Sequence, residues 1–328
     1  MASDPLRQMY REMVLMREIN HRAILLQRQG RIGSWLGSEG QEATAVGAGH
    51  ALTPGDWVFP TYREHAVALV RGVPVVNLFH HLFGNVRDNA RGRNLPPEYS
   101  FREINFVSIS APVGNQAPQA VGAAIAARKR GDDVAVLTFF GDGTSSEGDI
   151  YVAMDFAARF KAPVVFFCQN NGWAISVPTA RQVAGSIADR APSLGFGGWR
   201  IDGNDPLEVR DATRDALAKA RSGGGPTLIE AMTYRLGAHS TSDDPTKYRD
   251  AGEVQTWVER DPLVLASEKL ALTEAEEAEV WDWARNEVQQ AVAEAENTPL
   301  PPVSDMFEGV YARMPWHLAE QRRLKGGD

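Results

Sequence analysis

The sequence predicts an α/β fold with a mostly parallel sheet flanked by helices, and three runs carry that expectation. Val134 to Phe140 (broken only by Thr138), Pro163 to Cys168 and Thr227 to Ala231 are short and apolar, the pattern of strands buried on both faces. Helical patterns separate them, and strands alternating with helices build parallel βαβ units.

The elements follow in order. Pro5 to Gln29 sets Leu6, Met9, Met13, Leu15, Met16, Ile19, Ile24 and Leu25 at helical spacing and stops at Gly30. Gly37 to Leu52 reads as a second helix, rich in small residues and closed by Pro54-Gly55. Trp57 to Pro60 is short and extended, and Glu64 to Arg71 and Val75 to Phe83 are helical. Asp88 to Ser100 is a polar loop long enough to suggest function. Gln116 to Lys129 is a small-residue helix, Glu147 to Phe160 joins the first two strands, and Asp205 to Arg221 precedes the third. His239 to Asp250 is a second polar loop. Leu272 to Asn297 is a long Ala/Glu-rich helix that Pro299-Leu300-Pro301-Pro302 ends, with a short helix after it from Val303 to Met314. The chain, 1–328, reads as a single α/β domain: N-terminal helices over 1–52, the core over 53–250 and a C-terminal helical region over 251–328.

Composition narrows the function classes. Hydrophobic content of 43% and charged content of 23% are those of a soluble globular protein. No apolar run approaches the ~20 residues of a membrane span, and Met1 to Arg31 lacks the apolar core of a secretory signal. A net charge of −8 gives little attraction for nucleic acid. The lone Cys168 excludes an intrachain disulfide and reads as a buried strand thiol, which favours a cytoplasmic location.

The chemistry gathers at two polar clusters, each directly after a buried strand: Gly141-Asp142-Gly143-Thr144 and Gln169-Asn170-Asn171-Gly172. In open α/β sheets ligands collect at the carboxyl ends of strands. If the two strands are neighbours, Asp142 and Asn171 meet across the crevice, and a carboxylate with an amide oxygen suits a hard cation such as Mg²⁺. The flanking glycines suit close approach to phosphate. Thr144-Ser145-Ser146-Glu147 is a candidate capping box whose helix N-terminus would face an anion. A dinucleotide reading fails, because the third glycine of that fingerprint is missing.

Gly-Asp-Gly followed, one helix and one strand later, by Asn-Asn resembles the thiamine diphosphate motif. The wider chain resembles the α subunit of heterotetrameric 2-oxoacid dehydrogenases, through Gly37-Ser-Glu-Gly-Gln-Glu-Ala43, Pro60-Thr-Tyr-Arg-Glu64, Gly141-Asp-Gly-Thr-Ser-Ser-Glu-Gly148, Asn170-Asn-Gly-Trp-Ala-Ile-Ser176 and His239-Ser-Thr-Ser-Asp-Asp-Pro-Thr-Lys-Tyr-Arg249. The resemblance implies Mg²⁺ ligands at Asp142, Asn171 and the Trp173 carbonyl. It implies cofactor contacts at Tyr62, Arg63, Gly141, Gly143, Thr144, Arg235 and His239, with Ala111 and Val113 of Ser110-Ala-Pro-Val113 along the aminopyrimidine. His239 would also assist acyl transfer to a lipoyl group. Some relatives bind K⁺ near that turn, where Ser110, Pro112, Asn115 and Gln116 would be the ligands. Others carry a basic residue where this chain has Gln169, so a second phosphate-binding cation is missing or comes from elsewhere. Ser240 and Ser242 fall on the loop that kinases modify in mitochondrial relatives, and a serine there does not establish modification.

The glutamate that activates the cofactor belongs to a β subunit in this family, so an α₂β₂ heterotetramer serving a lipoyl-bearing acyltransferase core is implied. Small-residue helices near Gly40 to Gly49 and Ala117 to Ala127 would allow close packing between subunits. Gly84-Asn-Val-Arg-Asp88, Gly92-Arg-Asn-Leu-Pro-Pro-Glu-Tyr99 and His239-Ser-Thr-Ser-Asp-Asp resemble branched-chain enzymes. Asp244-Pro-Thr-Lys-Tyr-Arg249 resembles bacterial pyruvate enzymes. The expected substrate is a branched-chain 2-oxoacid, with pyruvate or acetoin dehydrogenase α subunits as the alternatives.

Overall fold

The computed structural model describes residues 4–325. Met1 to Ser3 and Gly326 to Asp328, the ends of the expected terminal regions, lie outside them. The first half runs α1 (Pro5–Arg28), α2 (Glu42–Ala51), β1 (Trp57–Phe59), α3 (His65–Val70), α4 (Val75–Phe83), α5 (Gln116–Arg130), β2 (Val136–Gly141), α6 (Gly148–Phe160) and β3 (Val164–Asn170). A small hairpin of β4 (Trp173–Ala174) and β5 (Val177–Pro178) follows, then the single turns α7 (Thr179–Gln182) and α8 (Arg190–Ser193). The chain continues through β6 (Gly197–Asp202), α9 (Pro206–Lys219), β7 (Thr227–Met232), α10 (Ala251–Val258), α11 (Pro262–Leu270), α12 (Glu274–Asn297) and α13 (Trp316–Leu324).

The main sheet has five strands in the order β1-β2-β3-β7-β6, and every pairing in it is parallel. Side chains alternate along its buried strands. Leu137, Phe139, Val165, Phe167 and Ile229 join the core beneath α1, α2 and α9, while Val136, Phe140, Val164, Phe166 and Cys168 join the core beneath α5 and α6. Cys168 is fully buried, and burial holds its thiol pKa well above normal, as a structural strand thiol requires.

Four local readings change. The second helix begins at Glu42, not Gly37, because Gly40 takes a positive φ of 85° and its Cβ would meet the Tyr234 carbonyl at 2.4 Å. The capping box at Thr144 does not form: Thr144–Ser146 is a 3₁₀ turn, and Glu147 makes no side-chain cap on α6. The box appears instead at Thr273 and Glu276, opening α12. The last expected helix shrinks to a 3₁₀ turn, Val303–Met306, with α13 beyond it. The Asp88 to Ser100 loop folds around its own buried acid. Asp88 accepts from His81 Nδ1 (2.9 Å), Ala90 N (3.1 Å) and Gly92 N (2.7 Å), a structural use.

The small residues of α2 serve packing within the chain. A Cβ on Gly47 would lie 2.6 Å from the Pro206 carbonyl, so α2 approaches α9 closely only because Gly47 is there. Gly122 on α5, by contrast, faces open space. Among the described residues no helix is long and apolar enough to cross a membrane.

The helical layer is tied by a buried charge cluster. Arg17 of α1 donates to Glu42 at the start of α2 (Nε, 2.5 Å) and to Asp261, the N-cap of α11 (Nη1, 2.9 Å). Removing one partner of a buried ion pair costs about 3–5 kcal/mol, because the other charge stays desolvated. With Asp261 still in place, Glu42→Ala is expected to lose about 3 kcal/mol in chemical denaturation. An unchanged unfolding midpoint would show that Arg17 does not depend on Glu42.

Candidate active site

Because β2 and β3 pair with Gly141 opposite Gln169, the turns after them leave the sheet edge side by side. A cavity of about 210 Å³ opens there. It collects Tyr62, Arg63, Val113, Gly141, Asp142, Gly143, Thr144, Asn171, Trp173, Arg235 and His239 from the sequence expectation, but Ala111 is exposed and does not line it. Gln41, Thr61, Glu64, Gln169, Ala174, Ile175 and Gln182 also line it. Of these Gln169 alone stood within the expected polar clusters, and only as a missing cation. Nothing in the sequence marks Gln182, whose Nε2 donates to the Gly143 carbonyl (2.6 Å).

The two asparagines part company. Asn170 Nδ2 donates to buried Glu230 of β7 (2.8 Å), away from the cavity. Asn171 faces it: its Nδ2 donates to Gln41 Oε1 (2.9 Å), and its Oδ1 accepts from Trp173 N (3.2 Å). Asp142 accepts from Thr179 Oγ1 at 2.5 Å. Burial raises the Asp142 pKa, and the Thr179 bond opposes that rise.

Does this site fit a metal-bound diphosphate? The oxygens of Asp142, Asn171 and the Trp173 carbonyl form a hard donor set, suited to Mg²⁺ rather than to a thiophilic metal. Among the described residues no group of three or more His, Cys, Asp or Glu stands ready to hold a metal by itself. Any ion here would therefore complete its shell from a ligand and water. Gly141 has no protein atom closer than 4.0 Å to an added Cβ, so its missing side chain leaves room for a ligand. Gly143 is needed for another reason, since its Cβ would strike the Ala174 Cβ at 2.8 Å. Gln41 Nε2 is a buried donor without a partner, which suits an anionic oxygen. The residues fit the group.

Two arginines control the other wall. Arg63 donates to the Gly37 carbonyl and to the His239 carbonyl (2.9 Å), and its Nη2 stands 3.0 Å from His239 Nδ1. Its guanidinium also lies over the Tyr62 ring, 5.2 Å from the centroid. Arg235 donates to the carbonyls of Trp173 (3.3 Å) and Ile175 (2.8 Å) and to Tyr248 Oη (3.2 Å). It clamps the turn that carries the Trp173 carbonyl. Ile175, a β-branched residue at φ 54°, is held in a conformation such residues rarely adopt.

His239 does not keep the near-neutral pKa of an ordinary histidine. Burial first, then the charges of Arg63 and Arg235, push it down to about 3, with Asp243 opposing. Nδ1 faces two cationic donors, so it is the acceptor and Nε2 carries the proton. In the ligand-free chain His239 is a neutral hydrogen-bond donor. His65, beside the site, is buried and stacked on Trp35 at 4.6 Å; burial pushes its pKa to about 3 as well, and it does not line the cavity.

A parallel α/β sheet with an oxygen-rich, arginine-walled cavity at its carboxyl edge defines a class of diphosphate-cofactor proteins. Residues 10–304 match the family described as "Dehydrogenase E1 component", and the chain belongs to that family. It is similar to the human protein named 2-oxoisovalerate dehydrogenase subunit alpha, mitochondrial, with 40% identity over 96% of this chain and 72% of the relative. Its likeness to the protein of the same name from Caenorhabditis elegans is 43% over 90% and 70%. For the alpha 1 subunit from Arabidopsis thaliana it is 39% over 95% and 68%.

The expectation of a 2-oxoacid dehydrogenase α subunit is borne out at this level. Family membership implies dependence on thiamine diphosphate and a β-subunit partner within an acyltransferase complex. The cytoplasmic expectation is overturned, because these relatives are mitochondrial by name. A single reduced cysteine reports a reducing compartment and does not say which one.

The neutral state of His239 is directly checkable. In ¹⁵N NMR of the ligand-free chain its ring is expected to stay unprotonated down to about pH 5, below the usual imidazole pKa of about 6.5. Arg63→Met is expected to raise that pKa. A wild-type ring titrating near neutrality would overturn the assignment.

Proposed function

We propose that this chain is the α subunit of a branched-chain 2-oxoacid dehydrogenase, acting on 2-oxoisovalerate and related acids with thiamine diphosphate and Mg²⁺. The observation that carries the reading is the convergence of Asp142, Asn171 and the Trp173 carbonyl with Arg63 in one cavity at the ends of β2 and β3. The substrate follows the names of the relatives. The pyruvate-like segment Asp244 to Arg249 carries little weight against it. Tyr248 Oη donates to Asp243 (2.5 Å), and Arg249 donates to the Arg235 and Leu236 carbonyls, so both shape the loop and neither lines the cavity.

The bound cofactor supplies an electron sink for decarboxylation of the 2-oxoacid and carries the acyl group towards a lipoyl acceptor. The chain's own residues bind and orient. Asp142, Asn171 and the Trp173 carbonyl would hold Mg²⁺. Tyr62, Arg63, Gly141, Gly143 and Thr144 would receive the diphosphate, with Val113 towards the aminopyrimidine. Arg235 keeps the Trp173 and Ile175 carbonyls in place. His239, neutral until an anion enters, presents a donor N–H to the ligand and becomes a proton carrier once that negative charge raises its pKa.

The activating glutamate would come from the β subunit of an α₂β₂ tetramer, with a lipoyl-bearing acyltransferase as acceptor. The turn before α5 supports a K⁺ ion: Asn115 Oδ1 is buried without a partner, and its Nδ2 donates to Ser110 Oγ (3.0 Å). Pro112 and Gln116 would complete that site.

With its β partner, thiamine diphosphate and Mg²⁺, the chain is expected to decarboxylate 2-oxoisovalerate with kcat/KM at least about tenfold above that for pyruvate, the scale set by a few methylenes of pocket contact. Asp142→Ala is expected to lose about 100-fold or more, as a disrupted first ligand shell would. Full activity in that variant would rule out the metal assignment, and a preference for pyruvate would reverse the substrate.

A further inference from the structure

Glu64 is the acid of the cavity that the functional reading does not use. It is 1% exposed, follows Arg63 directly, and accepts from Thr61 N and from Thr61 Oγ1 (3.0 Å). Its remaining contact is the amide end of Gln169, whose other atom faces Thr44. No hydrogen bond joins it to Asp142, Asn171 or Trp173.

Thr44 sets the orientation of the Gln169 amide. Thr44 Oγ1 lies 2.6 Å from the Gln41 carbonyl and 2.6 Å from the Gln169 amide. With the amide nitrogen towards Glu64, Thr44 would have to donate to both oxygens from a single proton. The Gln41 carbonyl can only accept, so Thr44 donates to it. The Gln169 atom facing Thr44 is then the nitrogen, since the ends of a glutamine amide are assigned from their partners. The Gln169 oxygen therefore faces a Glu64 oxygen within hydrogen-bond reach. Two oxygens in that contact need a proton between them, and only the carboxyl can supply it.

The surroundings agree. Burial pushes the Glu64 pKa up to about 7, and Arg63 is the cation that opposes it. Arg63 is itself shared with Asp142 and Asp243. From α2, Glu42 is committed to Arg17, and Thr44 is uncharged. The end of β3 presents neutral Gln169, and His65 on α3 is held neutral.

We propose that Glu64 is a positioning residue that holds the cofactor as a neutral carboxyl, its proton held against Gln169, so that diphosphate binding takes up a proton wherever Glu64 is ionised in the free chain. The inference rests on the thiamine diphosphate reading above. An ionised Glu64 would put a further negative charge beside the diphosphate, and like charges in one site drive protonation. Binding therefore favours the protonated form. Affinity is full below the free-state pKa and falls as pH rises through it, by about tenfold per pH unit for one linked proton.

The test is calorimetric titration of the chain with its β partner, using thiamine diphosphate and Mg²⁺, from about pH 6 to about pH 8.5 in buffers of different ionisation heat. Wild type is expected to take up more protons than Glu64→Gln above about pH 7, with Kd rising up to about tenfold per pH unit relative to the variant. The cofactor's own phosphate titration is common to both and cancels. Gln169→Arg, which sets a cation against Glu64 and ionises it, is expected to lose the uptake too, and serves if Glu64→Gln does not fold. Equal pH slopes in wild type and variants would overturn the proposal. No cofactor binding by wild type at any pH would overturn the functional reading instead. In that case the infrared carbonyl band of a protonated carboxyl decides the state of Glu64: present in wild type and lost in the variants it supports the neutral carboxyl, and absent in wild type it refutes it.

Discussion

The candidate site depends first on the register between β2 and β3. Parallel pairing sets Gly141 opposite Gln169 and ends both strands at one level. A slip of one residue would turn every side chain of a strand to the other face. The alternation of Phe139 and Phe167 into one core and Phe140 and Phe166 into the other makes such a slip costly. The same pairing continues into β7. Thr233 N donates to the Asn170 carbonyl (2.9 Å) and Arg235 N to the Asn171 carbonyl (3.3 Å), so the chain after β7 is laid along the end of β3. Arg235 and His239 reach the cavity because the sheet delivers them there.

The delivered groups are poorly satisfied without a ligand. Burial lowers the pKa of Arg63, and of Arg235, which the charge of Arg63 lowers further. The same burial raises Asp142 and Glu64. Gln41 Nε2 and Arg235 Nε are buried donors with no acceptor. An orphaned buried donor costs about 1–3 kcal/mol, so the fold works against itself here. Folds break their own rules where they bind something, and an anion with a cation attached would relieve the arginines, Asp142 and Gln41 Nε2 together.

How much of this was legible in the sequence depends on whether a residue's role is local. Asp142 and Asn171 were legible because a polar residue beside a glycine, just after a buried strand, has few other reasons to be there. The strands buried on both faces were legible for a similar reason. The edge strand β6 was not, since Gly-Gly-Trp-Arg-Ile-Asp is half-buried and carries no apolar run. Nor were α10 and α11, whose caps at Asp250 and Asp261 are clear only once the helices are seen. Glu64, Thr179 and Gln182 draw their roles from partners distant in sequence, and no local pattern encodes a partner. His239 was found, but its titration is set by burial and then by Arg63 and Arg235, which no local pattern shows.

The cavity is finished at one end only. Its polar end is closed by backbone turns and by side chains that brace one another. At the apolar end Val113 is 39% exposed and Ile175 53% exposed, and Ile175 is held at a positive φ by the Arg235 bond to its carbonyl. Holding a β-branched side chain in a strained conformation only to wet it gains nothing, since burial is what an isoleucine offers. The strain makes sense if something covers that side chain. The cofactor's remaining rings and the β subunit that family membership implies would both do so, and the chain supplies the half of the site that holds charge while leaving bare the half that needs apolar cover.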